Sequence, residues 1–248
     1  MAKECWARCL GDCDDKITKE HYVSKNFFGT KTVMVQGLPQ CMDKPVEMPL
    51  EGLSRAMLCE RHNNRLGEDV DEIASGMLNM LAESLSLAQD REEFRRRHYF
   101  PIRRTFDGLL LERWFVKTLI NLCFKGSAGI GPGGDRTGWP TDHLVRVAFG
   151  ETRLEGVGGL YVVAEAGENV MIEERLRFVR LHDTHNEDNI AAAHFLFCGM
   201  RFLLDLRSTD AEEAWFGPPA MRHLNRIVWT NTNRRGKQVP SVVVNWKW

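Results

Sequence analysis

The sequence has no long apolar segment. Nowhere do about 18 apolar residues follow one another, which is the length that a membrane-spanning helix needs, and the N-terminal run MAKECWARCLGDCDDK contains no apolar stretch typical of a signal peptide. We therefore expect a cytoplasmic protein without membrane segments. Because disulfides rarely persist in a reducing cytosol, we expect the seven cysteines to be free thiols or metal ligands.

The chain also lacks a strong net charge, but its basic residues are unevenly distributed. The formal charge is −1, yet residues 222–248 contain six Arg or Lys and no acidic residue, and residues 91–104 contain six arginines and two glutamates. Clustered cations attract phosphate groups. The candidate nucleic-acid contacts are therefore Arg95, Arg96, Arg97, Arg234, Arg235 and Lys237. A solvated basic face explains the same residues and stays an alternative.

The pattern of residues predicts three successive parts. Residues 1–70 are rich in cysteine and turn formers and have little periodicity, which is typical of a small module stabilised by a metal. Residues 71–125 are expected to be helical, because apolar residues recur every fourth position from Ile73 to Leu85 and residues 106–124 are apolar almost all round. Residues 126–248 are expected to form a β-rich domain of unknown role.

The β-rich part begins after a predicted loop. Residues 125–140 contain six glycines and two prolines, which disfavour regular structure. Beyond it, short runs rich in Val, Leu, Ile and Phe are separated by turn residues and favour a mostly antiparallel sheet. These runs are residues 143–149, 159–164, 176–181, 193–206, 226–230 and 241–246. The predicted fold class is therefore α+β.

The cysteine spacing at the N-terminus indicates a zinc site. Cys5, Cys9 and Cys13 lie four residues apart, and Cys59 is followed by His62 in a Cys-x-x-His pair. Two thiolates from a tight turn, together with a second pair near the start of a helix, supply the four tetrahedral ligands of a structural Zn²⁺. Three early cysteines compete for two places, and we expect Cys9 to be paired with either Cys5 or Cys13.

Two sequence runs then suggest a family. The runs are ITKEHYVS at residues 17–24 and LCERHNNRLG at residues 58–67. Together they resemble the HNH (ββα-metal) endonucleases in their HNN-like branch, over about residues 5–71. The resemblance implies a small zinc-bound ββα-metal (treble clef) module, followed by two helices and the β-sheet domain. It also implies metal-dependent hydrolysis of phosphodiester bonds in nucleic acid, with DNA favoured over RNA.

The resemblance assigns roles to three residues and leaves alternatives. His21 corresponds to the general base, and Asn63 and Glu20 correspond to ligands of a catalytic Mg²⁺ or Mn²⁺. The asparagine that usually precedes the second zinc pair is missing, with Ser54 as a stand-in. An alternative is therefore a zinc-stabilised regulatory protein that binds nucleic acid or protein through a degenerate site. A ligand-binding β domain with the zinc module as scaffold, a protein partner and an oligomer also stay open.

Overall fold

The fold combines a few helices with several sheets, which confirms the predicted α+β class. The computed structural model describes residues 4–25, 28, 30–94, 101–164, 175–197, 199–207, 220–232 and 237–248. These residues form three separate sheets, of two, eight and three strands. No helix within these ranges combines the length and apolar character that crossing a membrane requires.

The N-terminal part contains a pair of strands followed directly by a helix. Strand β1 (Ile17–His21) pairs antiparallel with β4 (Ser54–Cys59), and helix α1 (Glu60–Leu66) begins at the next residue. A single π-helical turn, Gly67–Asp71, joins α1 to the long helix α2 (Glu72–Phe94). The helix predicted from the four-residue apolar repeat between Ile73 and Leu85 therefore corresponds to α2.

The largest sheet mixes strands from both ends of the chain. Its path runs β11 (Ala220–Arg222), β7 (Gly159–Val163), β10 (Met200–Asp205), β9 (Asn189–Phe197), β8 (Arg175–His182), β2 (Thr32–Gln36), β3 (Val46–Pro49), and β6 (Gly129–Ile130) also pairs with β9. Its pairings are antiparallel except for β2 with β8 and β6 with β9, which are parallel. The β2–β8 pairing joins residues of the predicted N-terminal module to the β-rich part; the domain boundaries themselves stay predictions.

The third sheet has the last strand of the chain at its centre. Strand β13 (Gln238–Lys247) lies between β12 (Arg226–Thr232), to which it is antiparallel, and β5 (Ile102–Asp107), to which it is parallel. The sheets of the structure are thus mostly antiparallel with three parallel pairings among the described strands.

One of the predicted strands was wrong, and another is divided into two strands. Residues 143–149 belong to helix α4 (Asp142–Ala148), which the Thr141 hydroxyl caps by accepting a hydrogen bond from the Leu144 amide. The valines of this segment favour a strand by themselves, but the capping residue and one buried helical face outweigh them. The run 193–206 is split between β9 and β10 by Gly199, whose φ of 78° lies in the left-handed region that a tight turn needs.

Helix α3 (Gly108–Cys123) lies at the centre of the core. The Asp107 carboxylate caps it by accepting from the Leu110 amide at 3.0 Å. As predicted from its all-round apolar character, it is buried on nearly every side. Phe115 contacts the rings of Phe195 and Phe202 in the large sheet, with centroid separations of 4.9 and 5.0 Å.

We expect Phe115→Ala to lower the free energy of unfolding by about 3–5 kcal/mol, because it leaves a cavity between α3 and the large sheet. Urea unfolding followed by circular dichroism measures the change. Ile73→Ala is the matched control, because Ile73 is 48% exposed on α2 and its truncation should cost about 0.5 kcal/mol or less. Equal losses in the two variants would contradict this description of the core.

Candidate functional site

Four predicted ligand residues converge on one point. The donor atoms of Cys5, Cys13, Cys59 and His62 all lie within 4.8 Å of one another. Nδ1 of His62 is 3.2 Å from Sγ of Cys59, 3.4 Å from Sγ of Cys5 and 3.6 Å from Sγ of Cys13. A tetrahedral Zn²⁺ with bonds of about 2.3 Å to sulfur and about 2.0 Å to nitrogen places S and N about 3.5 Å apart. The cluster could therefore bind a metal ion such as zinc.

The backbone explains how distant cysteines meet. The amide of Trp6 donates to the carbonyl of Met57 at 3.1 Å, so the Cys5 segment lies against β4. A short 3₁₀ helix, Arg8–Leu10, follows, and Gly11 with φ 84° turns the chain back. This turn returns Cys13 to the same side as Cys5, while Cys59 and His62 come from the start of α1.

Cys9 does not belong to the cluster, which corrects the expectation that it supplies one of the ligands. A 3₁₀ helix has about three residues per turn, so a side chain four positions after Cys5 does not face the same way. The Cys9 thiol lies beside Asp142 of α4 instead. Burial and the Asp142 carboxylate raise the pKa of Cys9 to about 11, so it stays a neutral thiol at pH 7.

Two aspartates that the sequence analysis missed support the cluster. Oδ1 of Asp12 lies 2.7 Å from Nε2 of His62. A carboxylate at this nitrogen favours the tautomer that leaves Nδ1 free to bind a metal. The carboxylate of Asp14 accepts hydrogen bonds from the amides of Glu60 and Arg61, at 3.2 and 2.9 Å, at the N-terminus of α1. The acidic residues flanking Cys13 were the signal that could have revealed both.

Glu20 is already engaged by a cation from the protein. Its carboxylate is buried in an ion pair with the ammonium of Lys117 on α3, and this ammonium also binds Oδ2 of Asp71 at 2.6 Å. Although burial alone would lower it, the charges of Glu20 and Asp71 raise the pKa of Lys117 above its usual value. Lys117 is therefore charged, and Glu20 is not an open ligand for a metal ion.

His21 follows Glu20 at the end of β1 and is half-buried. Its backbone carbonyl accepts from Nδ2 of Asn121 at 3.1 Å, whereas its imidazole has no hydrogen-bond partner among the described residues. Burial, followed by the charges of Lys25 and Lys117, lowers the pKa of His21 below its ordinary value of 6.5. The imidazole is therefore neutral at pH 7 and able to accept a proton.

Asn63 joins α1 to β1. Its Nδ2 donates to Oγ1 of Thr18 at 2.9 Å and to the carbonyl of Lys19 at 3.2 Å. These two bonds orient the amide, and they leave its Oδ1 without a hydrogen-bond partner in the described part of the chain. The structure thus places Asn63 against the strand that carries Glu20 and His21, although no hydrogen bond joins it to the His21 imidazole.

Ser54, the expected stand-in for the missing asparagine, makes its hydrogen bond to a residue other than His21. Ser54 lies directly opposite His21 in the β1–β4 pair, but its hydroxyl donates to the carbonyl of Glu51 at 2.8 Å. The residue that holds the end of β1 is instead Asn121, which accepts from Nε1 of Trp6 and donates to His21. Sequence reasoning missed Asn121 and Lys117; the signal was two polar residues one turn apart in an apolar helix.

The candidate nucleic-acid contacts are only partly placed. Arg95, Arg96, Arg97, Arg234 and Arg235 lie outside the described residues, and Lys237 is exposed. Trp246 is buried beside Phe106, and Trp248 stacks on His223 at 4.3 Å. These two tryptophans pack against other residues of the protein, so their rings are not exposed for stacking with nucleic-acid bases.

Comparison with known proteins adds no relative to this picture. No protein-family model, no curated protein and no solved structure matches the chain. The site therefore has to be interpreted from its own geometry.

We expect Cys13→Ser to lose most of the bound zinc, because three ligands hold the ion much more weakly than four. Cys9→Ser is the matched control and should keep one Zn²⁺ per chain. Metal content after dialysis, measured by inductively coupled plasma mass spectrometry, gives the answer. Loss of zinc from the Cys9 variant together with retention in the Cys13 variant would contradict the assignment.

Proposed function

We propose that this protein is a phosphodiesterase of the HNH type that acts on nucleic acid, with His21 as the general base and DNA as the favoured substrate. The observation that supports it best is the four-donor cluster at the junction of β1, β4 and α1. Two antiparallel strands followed by a helix, fixed by a metal, are what the ββα-metal (treble clef) resemblance implies.

In this proposal the zinc is structural. Cys5, Cys13, Cys59 and His62 fill all four positions of a tetrahedron, so no position is left for water or substrate. The ion would hold the start of α1 against the loop before β1. A module with a small apolar core needs such a link to keep residues from two distant segments in fixed positions.

His21 is the group suited to the chemical step. A general base has to be unprotonated at the working pH and within reach of water, and a half-buried neutral imidazole without a hydrogen-bond partner in the described structure meets both conditions. It would accept the proton of the water that attacks the phosphorus atom, while the bond from phosphorus to the leaving sugar oxygen breaks and that oxygen takes a proton from solvent. The exposed ammonium of Lys25, whose charge acts on His21, would attract the phosphate.

The catalytic cation of the resemblance fits only one of its two expected ligands. Oδ1 of Asn63 is oriented and has no hydrogen-bond partner in the described structure, so it could bind Mg²⁺ or Mn²⁺, which would stabilise negative charge on the phosphate. Glu20 does not fit, because its carboxylate binds Lys117. We therefore assign no step of the reaction to a cation at Glu20.

We expect His21→Ala to lower cleavage of plasmid or single-stranded DNA by about 100-fold or more, because a general base typically contributes at least this factor. His185→Ala, in the exposed turn between β8 and β9, is the matched control and should cleave at the wild-type rate. Both variants should keep their zinc. Undiminished cleavage by the His21 variant would exclude this mechanism.

The rate of cleavage should rise with pH and level off with a midpoint below 6.5, because the neutral form of His21 is the active one and its pKa is lowered. Lys25→Gln removes a positive charge that lowers this pKa, and should move the midpoint to higher pH. Lys31→Gln, which changes another exposed lysine, is the control and should leave the midpoint in place. A midpoint that Lys25→Gln leaves unchanged would show that a group other than His21 limits the rate at low pH.

The second candidate is a zinc-stabilised binding protein with a degenerate nuclease site. The observation that favours it is the ion pair between Glu20 and Lys117. It predicts that the zinc-loaded protein cleaves neither DNA nor RNA with Mg²⁺ or Mn²⁺, but retains nucleic acid or a protein partner. If phosphates are contacted, binding of a fluorescent oligonucleotide should weaken steeply with salt. The cleavage assay separates the two candidates.

A further inference from the structure

Two carboxylates and one ammonium from distant segments of the chain meet beside His21. Glu20 comes from the end of β1, Asp71 from the π-helical turn, and Lys117 from the middle of α3. Lys117 has no exposed side-chain surface, and Glu20 is 7% exposed. We propose that the Lys117 ammonium permanently occupies the place that a divalent cation would take between Glu20 and Asp71, so that this acidic pair is closed to metal ions.

The geometry is that of a cation with its ligands. Both carboxylates direct an oxygen at the same Nζ atom, although they belong to different elements, β1 and the π-helical turn. A buried carboxylate without a positive partner is costly, and the ammonium offsets part of this cost, although burial still raises the pKa of Glu20 above its usual value. Because Lys117 is part of the chain, a free ion would have to displace a charge that cannot diffuse away.

The π-helical turn explains why Asp71 faces α3. The amide of Glu72 donates to the carbonyl of Gly67, five residues earlier, so one extra residue is inserted between α1 and α2. This insertion changes the direction of the side chains that follow it. Asp71 thereby reaches Lys117, while the Asn63 amide, two turns earlier, reaches β1.

Pairing with the Lys117 ammonium leaves one carboxylate oxygen of Asp71 without a partner among the described residues. Oδ1 of Asp71 is buried and has no hydrogen-bond partner. An ammonium offers three donors in fixed directions, whereas a divalent ion accepts six or more oxygen ligands around it. The unused carboxylate oxygen is what remains when a set of oxygen ligands is satisfied by a lysine rather than by a metal.

The experiment measures Mn²⁺ binding to the zinc-loaded full chain by electron paramagnetic resonance, with melting temperature as a second reading. The wild type should have no Mn²⁺ site that depends on Glu20, so the wild type and Glu20→Gln should bind the same amount of Mn²⁺. Lys117→Ala should bind one Mn²⁺ per chain and melt at a higher temperature with Mn²⁺ than without it. Lys117→Met, which fills the space with an apolar chain, and the double variant Glu20→Gln/Lys117→Ala should bind Mn²⁺ at least 10-fold more weakly than Lys117→Ala.

Two results would overturn the proposal. One is Mn²⁺ binding by the wild type that Glu20→Gln abolishes, which tests the proposal even if the Lys117 variants do not fold. The other is a folded, zinc-containing Lys117→Ala that binds no Mn²⁺. The comparison with a nuclease cation rests on the proposed function, but the binding measurement does not need cleavage. If the wild type cleaves no nucleic acid and binds no Mn²⁺, the result would therefore contradict the proposed nuclease function. It would support the proposal that Lys117 closes the acidic pair to metal ions.

Discussion

The convergence of four donor residues, the buried Cys5, Cys59 and His62 and the half-buried Cys13, is the constraint on which the N-terminal part depends. Burial raises the pKa of the Cys5 and Cys13 thiols, so without a cation these sulfurs are neutral and make only weak interactions. A divalent ion reverses this preference, because it binds thiolates directly. Metal binding would therefore be coupled to the ordering of β1, β4 and α1, and the hydrogen bonds of Asp12 and Asp14 extend this coupling to the loop before β1.

Helix α3 supplies the second constraint, from the interior of the protein. It carries Lys117 and Asn121 one turn apart, and these two side chains hold Glu20 by its carboxylate and His21 by its backbone carbonyl. The end of β1 is therefore positioned by a helix that comes about 100 residues later in the sequence. The Cys/His cluster joins the loop before β1 to the start of α1, whereas α3 places a positive charge next to His21.

Local patterns predicted those features that local forces decide. The all-round apolar run gave α3, and the Cys-x-x-His pair gave two of the four cluster residues, because both depend on spacing along one segment. The exclusion of Cys9 in favour of Cys5 and Cys13 depended on a 3₁₀ turn, which the cysteine spacing alone does not predict. The partner of Glu20 could not be found in this way, since Lys117 becomes its neighbour only when α3 packs against β1.

The parallel pairing of β2 with β8 has a consequence for how the chain assembles. Met34 lies opposite Arg175, so β2 leaves the ribosome long before its partner strand is synthesised. Until then β2 and β3 form a two-stranded ribbon with an open edge, which is marginally stable by itself and prone to pair with other chains. Such late, long-range closure slows folding. The four Cys and His residues of the cluster all lie within the first 62 residues, so they are available much earlier, and a metal ion bound by them would hold the N-terminal segments together during this interval.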